Sequence, residues 1–155
     1  MESIHSQKLK TKILIIDDEQ PIRQVLSDSL KDEGYIVETA ENGIIGLQKM
    51  SDFQPHICFL DIWMPQLDGL EVLEKAVPLH ENIQFIMISG HGTIETAVKA
   101  TKMGAWDFIE KPLSLDKVFL NIEHVLKWNA EKQEKLALLN KLRKNIALVG
   151  ESKAL

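Results

Sequence analysis

The sequence predicts an α/β fold in which a doubly wound, five-stranded parallel sheet carries helices on both faces. Short apolar runs and stretches of helical period take turns five times along the chain. The runs "ILII" at Ile13 to Ile16 and "ICFL" at Ile57 to Leu60 are apolar at consecutive positions. A strand that faces water on one side alternates apolar with polar residues; continuous apolar runs belong to sheets buried on both faces.

Strands are expected at Ile13 to Ile16, Tyr35 to Val37, Ile57 to Leu60, Ile83 to Ile88 and Trp106 to Ile109. The first helix follows Glu19-Gln20, with Pro21 in its first turn. It carries Ile22, Val25, Leu26, Ser29 and Leu30 on one side and stops at Gly34. Further helices are expected over about 43 to 51, 69 to 77, 93 to 103 and from 114 onward, separated by "ENG", "MPQLDG", "SGHGT" and "KPLS".

The last segment breaks the pattern, because it runs helically from Ser114 to about Asn145 with neither Gly nor Pro. That is longer than a helix serving only this core needs. Leu115, Val118, Phe119, Ile122, Val125 and Leu126 form a stripe suited to packing on the sheet, and Leu136, Leu139, Leu142 and Ile146 continue at similar spacing beyond the charged "NAEKQEK". The second group predicts a linker helix that pairs two copies of the chain, although its seam is shorter than a sustained heptad repeat.

A chain of 155 residues, 45% hydrophobic, holds one core of ordinary size plus an extra segment. The net charge of −5 argues against binding nucleic acid or an anionic membrane and favours a bound cation. The lone Cys58 has no partner for an internal disulfide and belongs in the core, in keeping with a reducing cytoplasm. Residues 1–11 lack the apolar centre of a secretion signal, and no run approaches membrane-spanning length, so a cytoplasmic protein is expected.

In a doubly wound sheet, ligands bind beyond the carboxyl ends of the strands. Here those ends bring Asp17, Asp18 and Glu19 from the first strand, Asp61 from the third, Ser89 from the fourth, and Glu110 and Lys111 from the fifth. Taken singly, the acids could face solvent or cap helices and Lys111 could be a plain salt-bridge partner; the combination is harder to explain that way. Clustered carboxylates repel one another unless a cation compensates, and hard oxygen ligands suit Mg²⁺. A carboxylate nucleophile beside a metal, an ammonium and a hydroxyl is a setting for phosphoryl transfer.

The segments "ILIIDDE", "CFLDIWMPQLDGLEVL", "MISGHG" and "GAWDFIEKP" resemble response-regulator receiver domains in order and spacing, over roughly residues 11 to 127. The resemblance implies the flavodoxin-like, CheY-like form of the fold. It implies that Asp61 accepts a phosphoryl group from a sensor histidine kinase, that Asp18, Asp61 and the backbone carbonyl of Trp63 ligate Mg²⁺, and that Asp17 acts through water. It also implies that Ser89 and Lys111 contact the phosphoryl oxygens and that Phe108 turns inward when Ser89 moves. Ser for Thr is an allowed variation; Phe for Tyr removes a hydroxyl and with it any hydrogen bond at that position. Trp63 and His91 flank the route of an attacking water, and a bulky Trp63 is expected to slow dephosphorylation. Gly69 is expected to permit the turn after the acceptor strand, with Asp68 starting the next helix. The family's Lys-Pro bond, here Lys111-Pro112, is often cis.

The stretch "SGHGTIETAVKATKMGAWDFIEKP" is closer to receivers of the NtrC type, which feed sigma-54-dependent transcription activators, and "ALVGESKAL" resembles the opening of the AAA+ ATPase module that comes after them. The expected organisation is a receiver over 11–127, a linker helix over 128–146 and the start of a truncated AAA+ module over 147–155. Downstream AAA+ and DNA-binding domains would belong to the full-length protein. This chain carries no GxxxxGK[ST] loop, helix-turn-helix or basic patch, so neither ATP hydrolysis nor DNA binding is expected of it. Dimerisation through the linker helix, a receiver face or both is expected. One alternative is a stand-alone receiver that acts by binding a protein without transcription output. Another is a phosphatase of the haloacid-dehalogenase class, but that chemistry wants a second acid two residues after the nucleophile, where Trp63 stands.

Overall fold

The computed structural model describes residue 8 and residues 10–154, with side chains described through residue 147. The side chains of the expected AAA+ opening beyond residue 147, and most of the N-terminal segment read for a secretion signal, lie outside the described residues. Among the described residues five strands alternate with five helices: β1 Lys12–Ile16, α1 Gln20–Asp32, β2 Ile36–Ala40, α2 Gly43–Phe53, β3 Ile57–Asp61, α3 Gly69–Ala76, β4 Gln84–Ser89, α4 Ile94–Lys102, β5 Asp107–Glu110 and α5 Leu115–Ala154. All neighbouring strands pair in parallel, in the order β2-β1-β3-β4-β5.

This order places the helices. The chain leaves β1 in one direction to form β2, then crosses back over β1 and moves steadily through β3, β4 and β5. Right-handed crossovers therefore put α1 on one face and α2, α3 and α4 on the other. The buried cluster agrees: Met50 of α2, Val72, Leu73 and Ala76 of α3, and Ala100 of α4 pack with Leu14, Ile16, Cys58, Leu60, Phe85 and Met87. Ile13, Ile15, Ile57, Phe59, Ile86 and Ile88 alternate with those strand residues and point to the opposite face. There Leu26 and Leu30 of α1 and Val118 and Ile122 of α5 are buried outside that cluster. The central strands are thus sealed on both sides, as their unbroken apolar runs require.

Helix ends follow the local chemistry. After α1, Gly34 takes φ 102, its N–H donates to Lys31 O, and Tyr35 N–H reaches back to Leu30 O at 3.1 Å, which satisfies two terminal carbonyls. Asn42 caps α2 through Ile45 N–H at 2.8 Å, Thr93 caps α4 through Thr96 N–H, and Asp68 with Glu71 forms a reciprocal capping box on α3.

β2 differs from expectation. It ends at Ala40, not Val37, and takes in the polar pair Glu38 and Thr39. As an edge strand it has one free side, so polar residues cost little there, and its ladder with β1 runs on to Ile16↔Ala40. An apolar run marks where a strand is buried, not how far it pairs.

The chain divides into two compact units between Ile122 and Glu123. The second consists of the remainder of α5, which continues past the expected end near Asn145. Leu136, Leu139, Leu142 and Ile146 are exposed along it. Among the described residues no helix is long and apolar enough to cross a membrane.

Candidate functional site

Because all five strands run the same way, their carboxyl ends share one edge. β1 hands the chain to Asp17 and Asp18, β3 ends on Asp61, β4 ends on Ser89, and β5 ends on Glu110 just before Lys111. β1 and β3 are neighbours whose following helices lie on opposite faces, so the crevice between them opens at Asp17 and Asp61.

Asp17 is fully buried. Its Oδ1 accepts the Glu19 N–H at 2.8 Å, and its backbone carbonyl accepts from Arg23 Nη1 at 2.7 Å. Its Oδ2 lies 3.2 Å from Lys111 Nζ as an ion pair, yet receives no aligned hydrogen bond. Burial is the main cause raising the Asp17 pKa above the ordinary carboxylate value. Asp61 is only 2% exposed, and burial, with the neighbouring Asp17 charge next, pushes its carboxyl up to about 7. Asp18 is exposed at the rim. Oxygens of Asp17, Asp18 and Asp61 all lie within 4.8 Å of one another. A buried carboxylate oxygen with no aligned hydrogen bond, beside a second carboxyl whose ionised form burial disfavours, is a donor set in want of a hard cation, and it fits Mg²⁺.

Lys111 reaches into this cluster. Its Nζ is 2.5 Å from Glu19 Oε2, 3.2 Å from Asp17 Oδ2 and 3.5 Å from Asp61 Oδ2. Burial alone would lower its pKa; the three carboxylates reverse that and raise it. The Lys111-Pro112 bond is cis. Ser89 is buried, and its hydroxyl accepts the His91 N–H at 3.1 Å. Trp63, two residues past Asp61, is 52% exposed. Phe108 is half-buried on β5, paired with Met87 of β4.

The structure thus brings Asp17, Asp18, Asp61 and Lys111 together. Glu19 is the residue that sequence reasoning left without a role: it makes the shortest contact to Lys111, and the only signal was its place directly after the acid pair. Gly69 has a different reason from the one expected. Its φ is not left-handed; a Cβ there would stand 2.2 Å from the Asp61 carbonyl oxygen, and the Gly69 N–H donates to Ile62 O at 2.7 Å. Glycine lets α3 begin directly against the backbone that carries Asp61.

The response regulator receiver domain family matches residues 13–123. The nitrogen assimilation regulatory protein NtrX of Azorhizobium caulinodans is 41% identical over 142 residues, which is 90% of this chain and 31% of that protein. The crystal structure of NtrX from Brucella abortus is 42% identical with a TM-score of 0.76, covering 82% of this chain and 29% of that one. The solution structure of the beryllofluoride-activated NtrC4 receiver domain dimer is 36% identical with a TM-score of 0.71, covering 75% of this chain and 96% of that one. The chain spans about a third of the length of the curated NtrX relatives it matches. With its sheet order, strand-end carboxylates and lysine, this chain belongs to the response-regulator receiver domains of two-component systems, of the NtrC type.

Proposed function

We propose that Asp61 is the phosphoacceptor, taking a phosphoryl group from a sensor histidine kinase. The observation that carries this reading is the placement of a buried Asp61 carboxyl at the end of β3, amid Asp17, Asp18 and the Lys111 ammonium. An Asp61 oxygen forms the new P–O bond as the P–N bond to the kinase's phosphohistidine breaks, and the departing imidazole keeps the electron pair. Lys111 exchanges its Glu19 and Asp17 partners for the phosphoryl oxygens, where its charge offsets the charge that develops in transfer, and Ser89 donates its hydroxyl hydrogen to the same group. Asp18, Asp61 and the Trp63 backbone carbonyl would hold Mg²⁺, with Asp17 acting through water, and the ion would supply the charge that offsets carboxylate repulsion.

The receiver over 11–127 then acts on the segments C-terminal to it. We infer a linker helix over 128–146 leading into an AAA+ module from 147, in a cytoplasmic sigma-54-dependent activator with a DNA-binding domain. The likeness of "ALVGESKAL" to the opening of such a module, and the length of the NtrX relatives, support this. Exposed Leu136, Leu139, Leu142 and Ile146, together with a related receiver described as a dimer, support homodimerisation through the helix, a receiver face or both. Phosphorylation then shifts the population between arrangements already accessible.

The test is incubation with Mg²⁺ and acetyl phosphate, with intact mass and sedimentation measured for the parent and Asp61→Asn. The parent gains one phosphoryl group and the variant none. Equal phosphorylation of both overturns the assignment.

A further inference from the structure

Gly92 lies between β4 and α4, three residues past Ser89. The left-handed glycines among the described residues are Gly34 and Gly104, so the backbone at Gly92 does not itself demand glycine. Space does. A Cβ on Gly92 would stand 2.2 Å from Cζ and 2.8 Å from Cε1 of Phe108. The far edge of the ring therefore rests on the bare Cα. Gly43 and Gly46 are crowded by aliphatic side chains of Val72 and Ile16, and Gly69 by backbone; at Gly92 the neighbour is the aromatic ring of β5.

The residue before Gly92 is tied to Ser89, since the His91 N–H donates to the Ser89 hydroxyl at 3.1 Å. A continuous path thus runs from the Ser89 hydroxyl through the His91 amide to the Gly92 Cα and on to the Phe108 ring. Phe108 has no hydroxyl, so movement along this path reaches its ring by van der Waals contact and not by a hydrogen bond at the ring's tip.

We propose that Gly92 is the positioning residue for Phe108: its bare Cα seats the ring in its resting position, so that a side chain at position 92 unseats the ring without any phosphodonor. The seat stands on the contact alone. Its displacement by phosphorylation rests on the reading of Asp61 as phosphoacceptor, with Ser89 drawn to the phosphoryl group.

The experiment uses the full chain labelled with fluorinated phenylalanine, with the Phe108 resonance assigned by Phe108→Leu. Gly92→Ala is expected to move that resonance without any phosphodonor, in the direction the parent's moves on treatment with acetyl phosphate and Mg²⁺. In parallel, the stability cost of Gly92→Ala should fall by at least half in a Phe108→Ala background, a coupling that two non-contacting sites do not show. If Gly92→Ala alone fails to fold, rescue by Phe108→Ala reads the same contact and supports the seat. An unmoved Phe108 resonance, or an undiminished cost in the Phe108→Ala background, overturns the seat. A parent that gains phosphoryl mass while its Phe108 resonance stays put overturns the coupling. A parent that gains none indicts the phosphoacceptor reading and leaves the unphosphorylated comparison to decide the seat.

Discussion

Replacing Asp61 by Asn should stabilise the metal-free protein, and by an amount that depends on pH. Asp61 titrates near 7 in the folded chain against 3.8 for an ordinary aspartate, because burial and the Asp17 charge disfavour its ionised form. Between those values the folded state holds a proton that the unfolded state has released, so stability falls as pH rises through this window. Below about pH 4 both states are protonated and the penalty is absent; above about pH 7 it is complete. The rise from 3.8 to about 7, at about 1.4 kcal/mol for each tenfold, sets a ceiling of about 4 kcal/mol. Asn has nearly the same shape and carries no charge at any pH. Urea unfolding in a chelating buffer should show Asp61→Asn and the parent converging near pH 4, and the variant leading by about 2 kcal/mol or more at pH 8, equivalent to about 4–8 °C in Tm. Added Mg²⁺ should narrow the gap by stabilising the parent. A difference independent of pH, or a variant less stable at pH 8, would refute the reasoning that this cluster is held under charge strain.

Gly69→Ala forces a methyl into the Asp61 carbonyl, which as backbone has little freedom to yield, so a loss of about 2–4 kcal/mol in urea unfolding is expected, with slower phosphorylation; unchanged stability would remove the steric account. His56 accepts the Lys12 N–H on Nδ1 at 3.0 Å, and burial lowers its pKa below 6.5. The folded state therefore binds fewer protons, and the contribution of His56, present above about pH 6.5, is lost as pH falls. In an Asp61→Asn background, where the opposing trend of Asp61 is removed, stability should drop from pH 7 to pH 5 more steeply than in the same background with His56→Gln; parallel curves would contradict this. Glu19→Gln removes a half-exposed partner of Lys111, so stability should change by less than about 1 kcal/mol while acetyl phosphate phosphorylates Asp61 faster. A slower reaction would mean that Glu19 positions the lysine and does not restrain it. Trp63→Asn should shorten the aspartyl-phosphate half-life by opening the approach of water beside Asp61; an equal lifetime would discard Trp63 as a shield.

Much of this molecule is determined by local chemistry that a linear reading can follow. Continuous apolar runs such as Ile13–Ile16 belong only to strands covered on both faces, and Pro21, Asn42, Asp68 and Gly34 act within a few residues of themselves, so strand number, helix starts and fold class follow from sequence alone. The strand-end acids and Lys111 were also legible, because a parallel sheet sends every carboxyl end to one edge. Tertiary structure alone decided what depends on partners distant in the chain. The length of β2 is set by its pairing with β1, not by its own composition. The need for glycine at position 69 comes from the backbone of Asp61, to which the loop after β3 folds back, and at position 92 from the ring of Phe108 on the next strand. The same holds for Lys111, which rests nearer Glu19 than Asp61: distances of 2.5 and 3.5 Å separate partners that the sequence presents as equivalent acids. Residue type sets which charges and shapes are available; only packing in three dimensions decides which of them touch.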